Sequence, residues 1–311
     1  MVRRQQGQVL SDGRPAAHRC AVWGSPVEHS LSPVLHRAAY AALGLADWSY
    51  DRREVDEAGF ADAFAGLDGA WCGLSLTMPL KESALRAART VTPVAAATGA
   101  ANTLVRDPDD RAAWTAHNTD VHGIRMALAL AGCPEPSSLL LVGSGATARS
   151  ALAALAATSS RPARVVFMVR DGVRPETLAQ AGAAGMAIEV VGMGDWQAAV
   201  HVDAVVSTVP PASVPALEAI PPAGEGRPPV VLDVVYGFGP TPLERAAAGR
   251  GWRVAAGTDM LLHQATEQVR LMTGRAAPIA AMSDALQAAL SEGTGGTARS
   301  HRASESPDPA R

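Results

Sequence analysis

Lysine is almost missing from this 311-residue sequence: all but one of its 27 basic residues are arginine, and the exception is Lys81. Asparagine is nearly as scarce, present only as Asn102 and Asn118. No excess of one charge exists, with 27 Lys+Arg against 30 Asp+Glu. That balance excludes a basic face for nucleic acid and a polybasic run for anionic lipid. Long apolar runs are lacking too; Gly, Pro or Arg breaks each one, so no membrane span is expected. The polar stretch Met1 to Arg19 has no apolar core of a secretory signal. Cysteine is limited to Cys20, Cys72 and Cys133, scattered and without a CxxC, which speaks against a disulfide framework or a zinc ribbon. A reducing, cytoplasmic setting fits these absences. No histidines have the i, i+4 spacing of a helical metal site, so no metal is expected; His117 and His122 are five apart and read as surface or supporting groups. Six Trp, four Phe and three Tyr are spread along the chain, which suits core packing better than a platform for stacking bases.

What is present is an alternation of strand-like apolar runs and Ala-rich helical stretches, the pattern of an α/β protein with parallel sheets. The length suits two domains. Ala21–Gly24 and Trp71–Leu76 read as strands, and Ser32–Leu43 as a helix opened by Ser-Pro. Helical spacing of Ile124, Leu128 and Ala131 places Asp120 at a helix start. Leu139–Val142, Val165–Val169, Ala204–Ser207 and Val230–Val235 read as buried strands of a second sheet. A last strong helix, about Met260–Met272, leads into a C-terminal helical segment expected to pack back on the first domain. The expected division is an unordered N-terminus at 1–18, a substrate-binding catalytic domain at 19–121 and a Rossmann-type domain at 122–256. A returning helical segment at 257–290 and a Ser/Gly/Pro-rich unordered tail at 291–311 complete it.

Leu139-Leu140-Leu141-Val142 runs into Gly143-Ser144-Gly145-Ala146-Thr147-Ala148, a G-x-G-x-x-A between a predicted strand and helix. The first glycine permits the tight turn, the second lets the backbone approach a pyrophosphate, and the helix N-terminus attracts its charge. The next strand ends in Arg170-Asp171-Gly172-Val173-Arg174. Arg170 and Arg174 suit the 2′-phosphate of NADP, whereas Asp171 pulls toward the ribose hydroxyls of NAD. NADP is the expected cofactor, with NAD as the alternative.

The sole lysine and both asparagines fall within four short motifs: Ser30-Leu31-Ser32-Pro33, Ser75-Leu76-Thr77-Met78-Pro79-Leu80-Lys81, Gly99-Ala100-Ala101-Asn102-Thr103 and Asn118-Thr119-Asp120. A lysine amine can be tuned to exchange protons, which an always-charged arginine cannot do. In this order the motifs resemble those of the shikimate dehydrogenase family, which read S-x-S-P, N-V-T-x-P-x-K, G-A-x-N-T and N-T-D-G. The resemblance continues through D-x-x-Y at Asp233 to Tyr236 and G-x-x-M-L-x-x-Q at Gly257 to Gln264.

That resemblance implies a substrate-binding domain and an NADP domain, with Lys81 and Asp120 as the catalytic pair. It implies that Ser30, Ser32 and Tyr236 bind the substrate carboxylate. Thr77, Asn102, Asp120 and Gln264 would hold ring hydroxyls. Gly257 and Met260 would lie by the nicotinamide, and Ser207-Thr208-Val209 would line its pocket. The implied reaction is reversible NADP-dependent reduction of 3-dehydroshikimate to shikimate, in aromatic amino acid precursor biosynthesis, by a monomer or homodimer. Two departures stand out: Ser75 replaces an asparagine and Val121 a glycine, so substrate preference is open to quinate or aminoshikimate. A methylenetetrahydrofolate dehydrogenase would not explain these motifs, and a non-catalytic dinucleotide sensor would be expected to lack Lys81 or Asp120.

Overall fold

Strand-forming residues at Ala21–Gly24 extend, in the computed structural model, to a longer strand β1 at His18–Gly24. The structure describes residues 17–110, 112–158, 163–224, 227–237 and 239–302. After β1 come α1 (Ser32–Ala42), β2 (Trp48–Glu54), α2 (Phe60–Ala65) and β3 (Trp71–Leu76). Next are α3 (Lys81–Ala87), β4 (Thr90–Val91), α4 (Pro93–Thr98), β5 (Thr103–Arg106) and β6 (Trp114–His117). Helix α5 (Asp120–Leu130) carries the chain to β7 (Ser138–Val142), α6 (Ala146–Thr158), β8 (Arg164–Val169), α7 (Pro175–Ala183) and β9 (Ala187–Gly192). The chain continues through β10 (Ala204–Ser207), β11 (Val230–Asp233), α8 (Pro242–Gly249) and β12 (Arg253–Ala255). It then returns through α9 (Gly257–Thr273) and α10 (Ile279–Arg302).

Two six-stranded sheets result. The first has the order β2-β1-β3-β5-β6-β4. It is mixed, because β5 runs antiparallel to both β3 and β6. This corrects the expectation of parallel sheets throughout: β5 and β6 form an antiparallel pair across a short Asp107–Ala113 connection, which leaves no room for a crossover helix. The second sheet, β12-β11-β10-β7-β8-β9, is wholly parallel. Counted from β7, that is the 3-2-1-4-5-6 order of a dinucleotide-binding sheet, with the switch in direction between β7 and β10. Two of its strands escaped the sequence reading. β9 is largely exposed and β12 is three residues long, so neither carries a buried apolar run.

Each sheet is covered on both faces. Leu35, Tyr40, Tyr50, Leu262, Val269 and Met282 bring α1, α9 and α10 onto one face of the first sheet. Trp23, Phe60, Leu74, Leu80 and Trp114 build the other. The C-terminal segment thus packs back on the first sheet, as expected, with α1 against α10. Helix α10 continues to Arg302, past Leu290, where the low-complexity composition predicts an unordered tail. Its first turns are anchored by buried Met282 and Leu286, and extending a nucleated helix adds one bond per residue. Residues 1–16 and 303–311 lie outside the described residues. Five of the six tryptophans are buried, at 0 to 5 % exposure, in agreement with a core role.

The two halves are joined by α5 lying against α9, and Gly123 decides how closely. A Cβ at Gly123 would come within 2.6 Å of the Met260 carbonyl oxygen and 3.0 Å of Gln264 Cβ. Glycine costs about 1 kcal/mol inside a helix relative to alanine, a cost offset here by contact between the helices. Gly123→Ala must therefore push α9 away. We expect a loss of about 1–3 kcal/mol, read as a lower denaturant midpoint at unchanged m.

Candidate active site

Lys81 opens α3, and its backbone oxygen accepts from Ala101 N at 2.8 Å, which ties the lysine motif to the Gly99–Thr103 turn. Its Nζ donates to Asp120 Oδ2 at 2.6 Å and to Thr147 Oγ1 at 3.1 Å. The lysine and aspartate side chains are 14 % and 7 % exposed, so the pair is largely withdrawn from water. Asp120 is the first residue of α5, as the spacing predicts, but the preceding Thr119 makes no side-chain cap. Neither polar group is used up by helix termination.

Asn102 organises the surroundings of the pair. Its Nδ2 donates to Asp120 Oδ1 at 2.8 Å and to Thr119 Oγ1 at 2.9 Å, with Gln264 Oε1 at 3.4 Å. Its Oδ1 accepts from Thr119 N and Thr103 Oγ1, each at 2.8 Å. Thr103 in turn accepts from Gln268 Nε2 at 2.9 Å, and Gln268 Oε1 accepts from Ser75 Oγ at 2.8 Å. Tyr50 OH donates to Ser75 Oγ at 2.6 Å, while His36 Nε2 lies 3.2 Å from Gln268 Oε1. Ser75, where the resembling family has asparagine, is thus engaged by Tyr50 and Gln268 inside the core.

The predicted carboxylate-binding residues come together at the start of α1. Burial pushes the Tyr236 hydroxyl above its ordinary range, opposed by hydrogen bonds with Ser30 and the Leu31 backbone. Ser30 Oγ accepts from Ser32 N at 3.3 Å, and Ser32 is buried at the first position of α1. Tyr50 is also raised by burial, with Ser75 and Ser32 acting against it. Thr77 follows β3, half-buried, with its backbone N donating to Trp23 O at 2.9 Å.

The predicted cofactor residues gather at the switch in the second sheet. Gly143 has φ +98°, and a Cβ there would meet Val209 Cγ1 at 2.7 Å and Thr208 Oγ1 at 2.9 Å. This residue must be glycine for conformation and for space. A Cβ on Gly145 would meet nothing within 4 Å, so its backbone stays open to a ligand before α6. Ser144 Oγ accepts from Arg174 N at 3.2 Å, and Ala146 and Ala148 begin the helix. Arg170 and Arg174 are exposed and, among the described residues, form no ion pair. Ser207 Oγ is buried at the end of β10 with no hydrogen-bond partner among the described residues. Gly257 approaches Asp233 O so closely that a Cβ would lie 2.6 Å from it, and buried Met260 follows on the same helix. His117 and His122 are half-buried near His263 and Glu267, away from these contacts.

Two features escaped the sequence reading. Gln268 lies one helical turn after Gln264 and so shares its face, a spacing that could have revealed it. Arg149 is the only charged residue in α6, yet its side chain is 2 % exposed. Its Nε donates to Thr98 O at 2.6 Å, and its other nitrogens reach Glu82 at 2.6 Å and Glu176 at 3.3 Å. Asn118 likewise crosses between the halves, from Thr98 and Ala100 to Ser150 Oγ at 3.0 Å.

Two stretches of the chain match known family models. Residues 22–104 match the family described as "Shikimate dehydrogenase substrate binding domain", and 257–287 match "Shikimate 5'-dehydrogenase C-terminal domain". A shikimate dehydrogenase (NADP(+)) of Moorella thermoacetica is 37% identical over 287 residues, covering 89% of this chain and 95% of its own. The crystal structure of Mycobacterium tuberculosis shikimate dehydrogenase superposes with TM-score 0.75 at 37% identity, covering 87% of this chain and 99% of its own. A Thermus thermophilus shikimate 5-dehydrogenase, solved in complex with NADP(H) and shikimate, gives TM-score 0.71 at 28% identity over 88% of this chain and 99% of its own.

Two outcomes follow from the buried groups. Burial holds His36 down at about 3, against about 6.5 in an unfolded chain. Between those values the unfolded state binds the extra proton, so stability is full above about pH 6.5 and falls as pH drops toward 3. His36→Gln should remove a slope of about 1.4 kcal/mol per pH unit from urea-derived stabilities between pH 6 and 4. Arg149→Met strips the Thr98 carbonyl of its donor, but Glu82 and Glu176 are 41% and 49% exposed and stay hydrated. A loss of about 2 kcal/mol in the same assay is expected, less than for a fully buried pair.

Proposed function

The chain belongs to the shikimate dehydrogenase family, and we propose that it catalyses the reversible, NADP-dependent reduction of 3-dehydroshikimate to shikimate. One observation carries the reading: the sole lysine stands between the acid Asp120, on one sheet's side, and the glycine loop's helix, on the other. The residues around that loop fit a dinucleotide. Gly145 leaves its backbone open, α6 starts at Ala146, and Ser207 Oγ has no partner among the described residues. Gly143, Ser144, Gly145, Ala146, Thr147 and Ala148 would hold the pyrophosphate, and Ser207, Thr208, Val209, Gly257 and Met260 the nicotinamide end. When bound, the nicotinamide supplies the hydride.

Lys81 does the remaining chemistry at the carbonyl. Reduction leaves negative charge on the former carbonyl oxygen, which the ammonium stabilises and then protonates. Asp120 accepts from the lysine Nζ at 2.6 Å and, through Asn102, is itself fixed in one orientation. Ser30, Ser32 and Tyr236 take the substrate carboxylate. Thr77, Asn102, Asp120 and Gln264 take the hydroxyls, so an analogue lacking one leaves a buried polar group unpaired. Arg170 and Arg174, exposed and without acidic partners among the described residues, favour NADP through its 2′-phosphate. The neighbouring Asp171 is the one residue that favours NAD.

The deciding assay is dinucleotide reduction with shikimate and with quinate, each with NADP and NAD. Shikimate with NADP should be fastest. Lys81→Met should lower kcat by about 10²–10³-fold, and Arg170→Ala should raise KM for NADP about tenfold or more while leaving turnover with NAD in place. Preference for NAD or quinate would transfer the chain to the quinate/shikimate branch. Dinucleotide binding without turnover of any pair would sink the enzymatic reading.

A further inference from the structure

The contact between Lys81 and Thr147 joins two motifs that the sequence keeps 66 residues apart. One supplies the proton donor of the proposed reaction; the other begins the helix behind the glycine loop. An ammonium is a point charge on a flexible stem with three equivalent donors. A single acceptor, Asp120 Oδ2, fixes its distance but leaves the nitrogen free to swing about that bond. A second acceptor, Thr147 Oγ1 at 3.1 Å, removes the swing and leaves one N–H unassigned.

Thr147 is well placed for this. It sits in the first turn of α6, half-buried, and its β-branched side chain has few rotamers in a helix. The helix itself cannot drift: Arg149, two residues on, donates to Thr98 O and to Glu82, the residue after Lys81. Ser150 accepts from Asn118, two residues before Asp120. On the other side Thr177 Oγ1 donates to Ser144 O at 2.7 Å and braces the glycine loop. Thr147 is thus held relative to both residues of the catalytic pair.

We propose that Thr147 is a positioning residue for Lys81: its hydroxyl oxygen orients the ammonium so that the remaining N–H faces the substrate, and it registers the dinucleotide loop against the proton donor. The inference rests on the reading of Lys81 as the proton donor. It goes beyond a role for Thr147 in holding pyrophosphate, because it assigns the side-chain oxygen to the lysine.

The test compares Thr147→Ser, Thr147→Val and Thr147→Ala in the full-length protein, with Lys81→Met beside them. Ser keeps the oxygen, Val keeps the shape, and Ala keeps neither. In the reductive direction, Val and Ala should each lower kcat about tenfold with KM for the shikimate-type substrate within about twofold, since a displaced donor hurts the transition state most. Ser should retain most of the wild-type kcat. A loss confined to kcat and rescued by Ser is the signature of orientation, which a merely structural role would not give. A Val variant with wild-type kcat, beside an inactive Lys81→Met, overturns this proposal alone. So does a Val variant that weakens only NADP binding by titration, or a Ser variant as slow as Val. Activity retained by Lys81→Met overturns the catalytic reading itself.

Discussion

A charge pair taken out of water must have its remaining hydrogen-bonding capacity met, and the first half of this molecule is arranged around that constraint. Lys81 and Asp120 are mostly buried, and burial of such a pair gains stability only when further bonds satisfy the atoms left over. Asn102 supplies a donor to the second carboxylate oxygen, and its own oxygen is then filled by Thr119 and Thr103. Each added polar group brings a further requirement, which Gln268, Ser75, Tyr50 and His36 meet in turn. The chain of bonds ends in a neutral imidazole stacked 3.9 Å from Tyr50, where burial disfavours charge. The members of this network fix one another up to His36, whose Nδ1 is buried without a partner among the described residues, so the pair is held in place without being part of an apolar core.

The second constraint is that the pair must face a loop from the other sheet. Helix α5 starts at Asp120 in the first half and packs against α9, which returns from the second, and Gly123 lets their backbones come close. Arg149 and Asn118 add polar ties across the same junction. These ties hold the glycine loop within hydrogen-bonding distance of the lysine, even though the loop belongs to a sheet with its own separate core.

Much of this was legible in the sequence because composition made certain residues conspicuous. In a chain that uses arginine for nearly every cation, one lysine inside a Thr-Met-Pro-Leu-Lys run is a signal in itself, and the structure places it against the predicted aspartate. Asn102 stood out the same way, Gln264 came only from the family resemblance, and Gly143 fits its assigned turn because its φ is +98°. The fold class followed from alternation of buried runs, which is strong for β7, β8, β10 and β11. The missed parts are those where local pattern and tertiary position disagree. β9 and β12 lack a buried run, and β5 reverses direction, which periodicity does not encode. Arg149 resembles a surface arginine in any composition count, and only its 2 % exposure marks it otherwise. Ser75 read as a departure that leaves substrate preference open, and its side chain is hydrogen-bonded to Tyr50 and Gln268 within the core.

The two ends of the site therefore differ in physical character. Around Lys81 the partners are buried and mutually fixed, so recognition there is geometric and only weakly sensitive to salt. At Arg170 and Arg174 the charges are exposed, and attraction for a 2′-phosphate would act through solvent and be screened by it. A buried network tolerates few substitutions, because each leaves a donor or acceptor without a partner. An exposed pair of arginines beside Asp171 has no such restriction, since each residue there can change without disturbing another. Residues at that exposed strand end are thus free to vary in a way that those holding the lysine and aspartate are not.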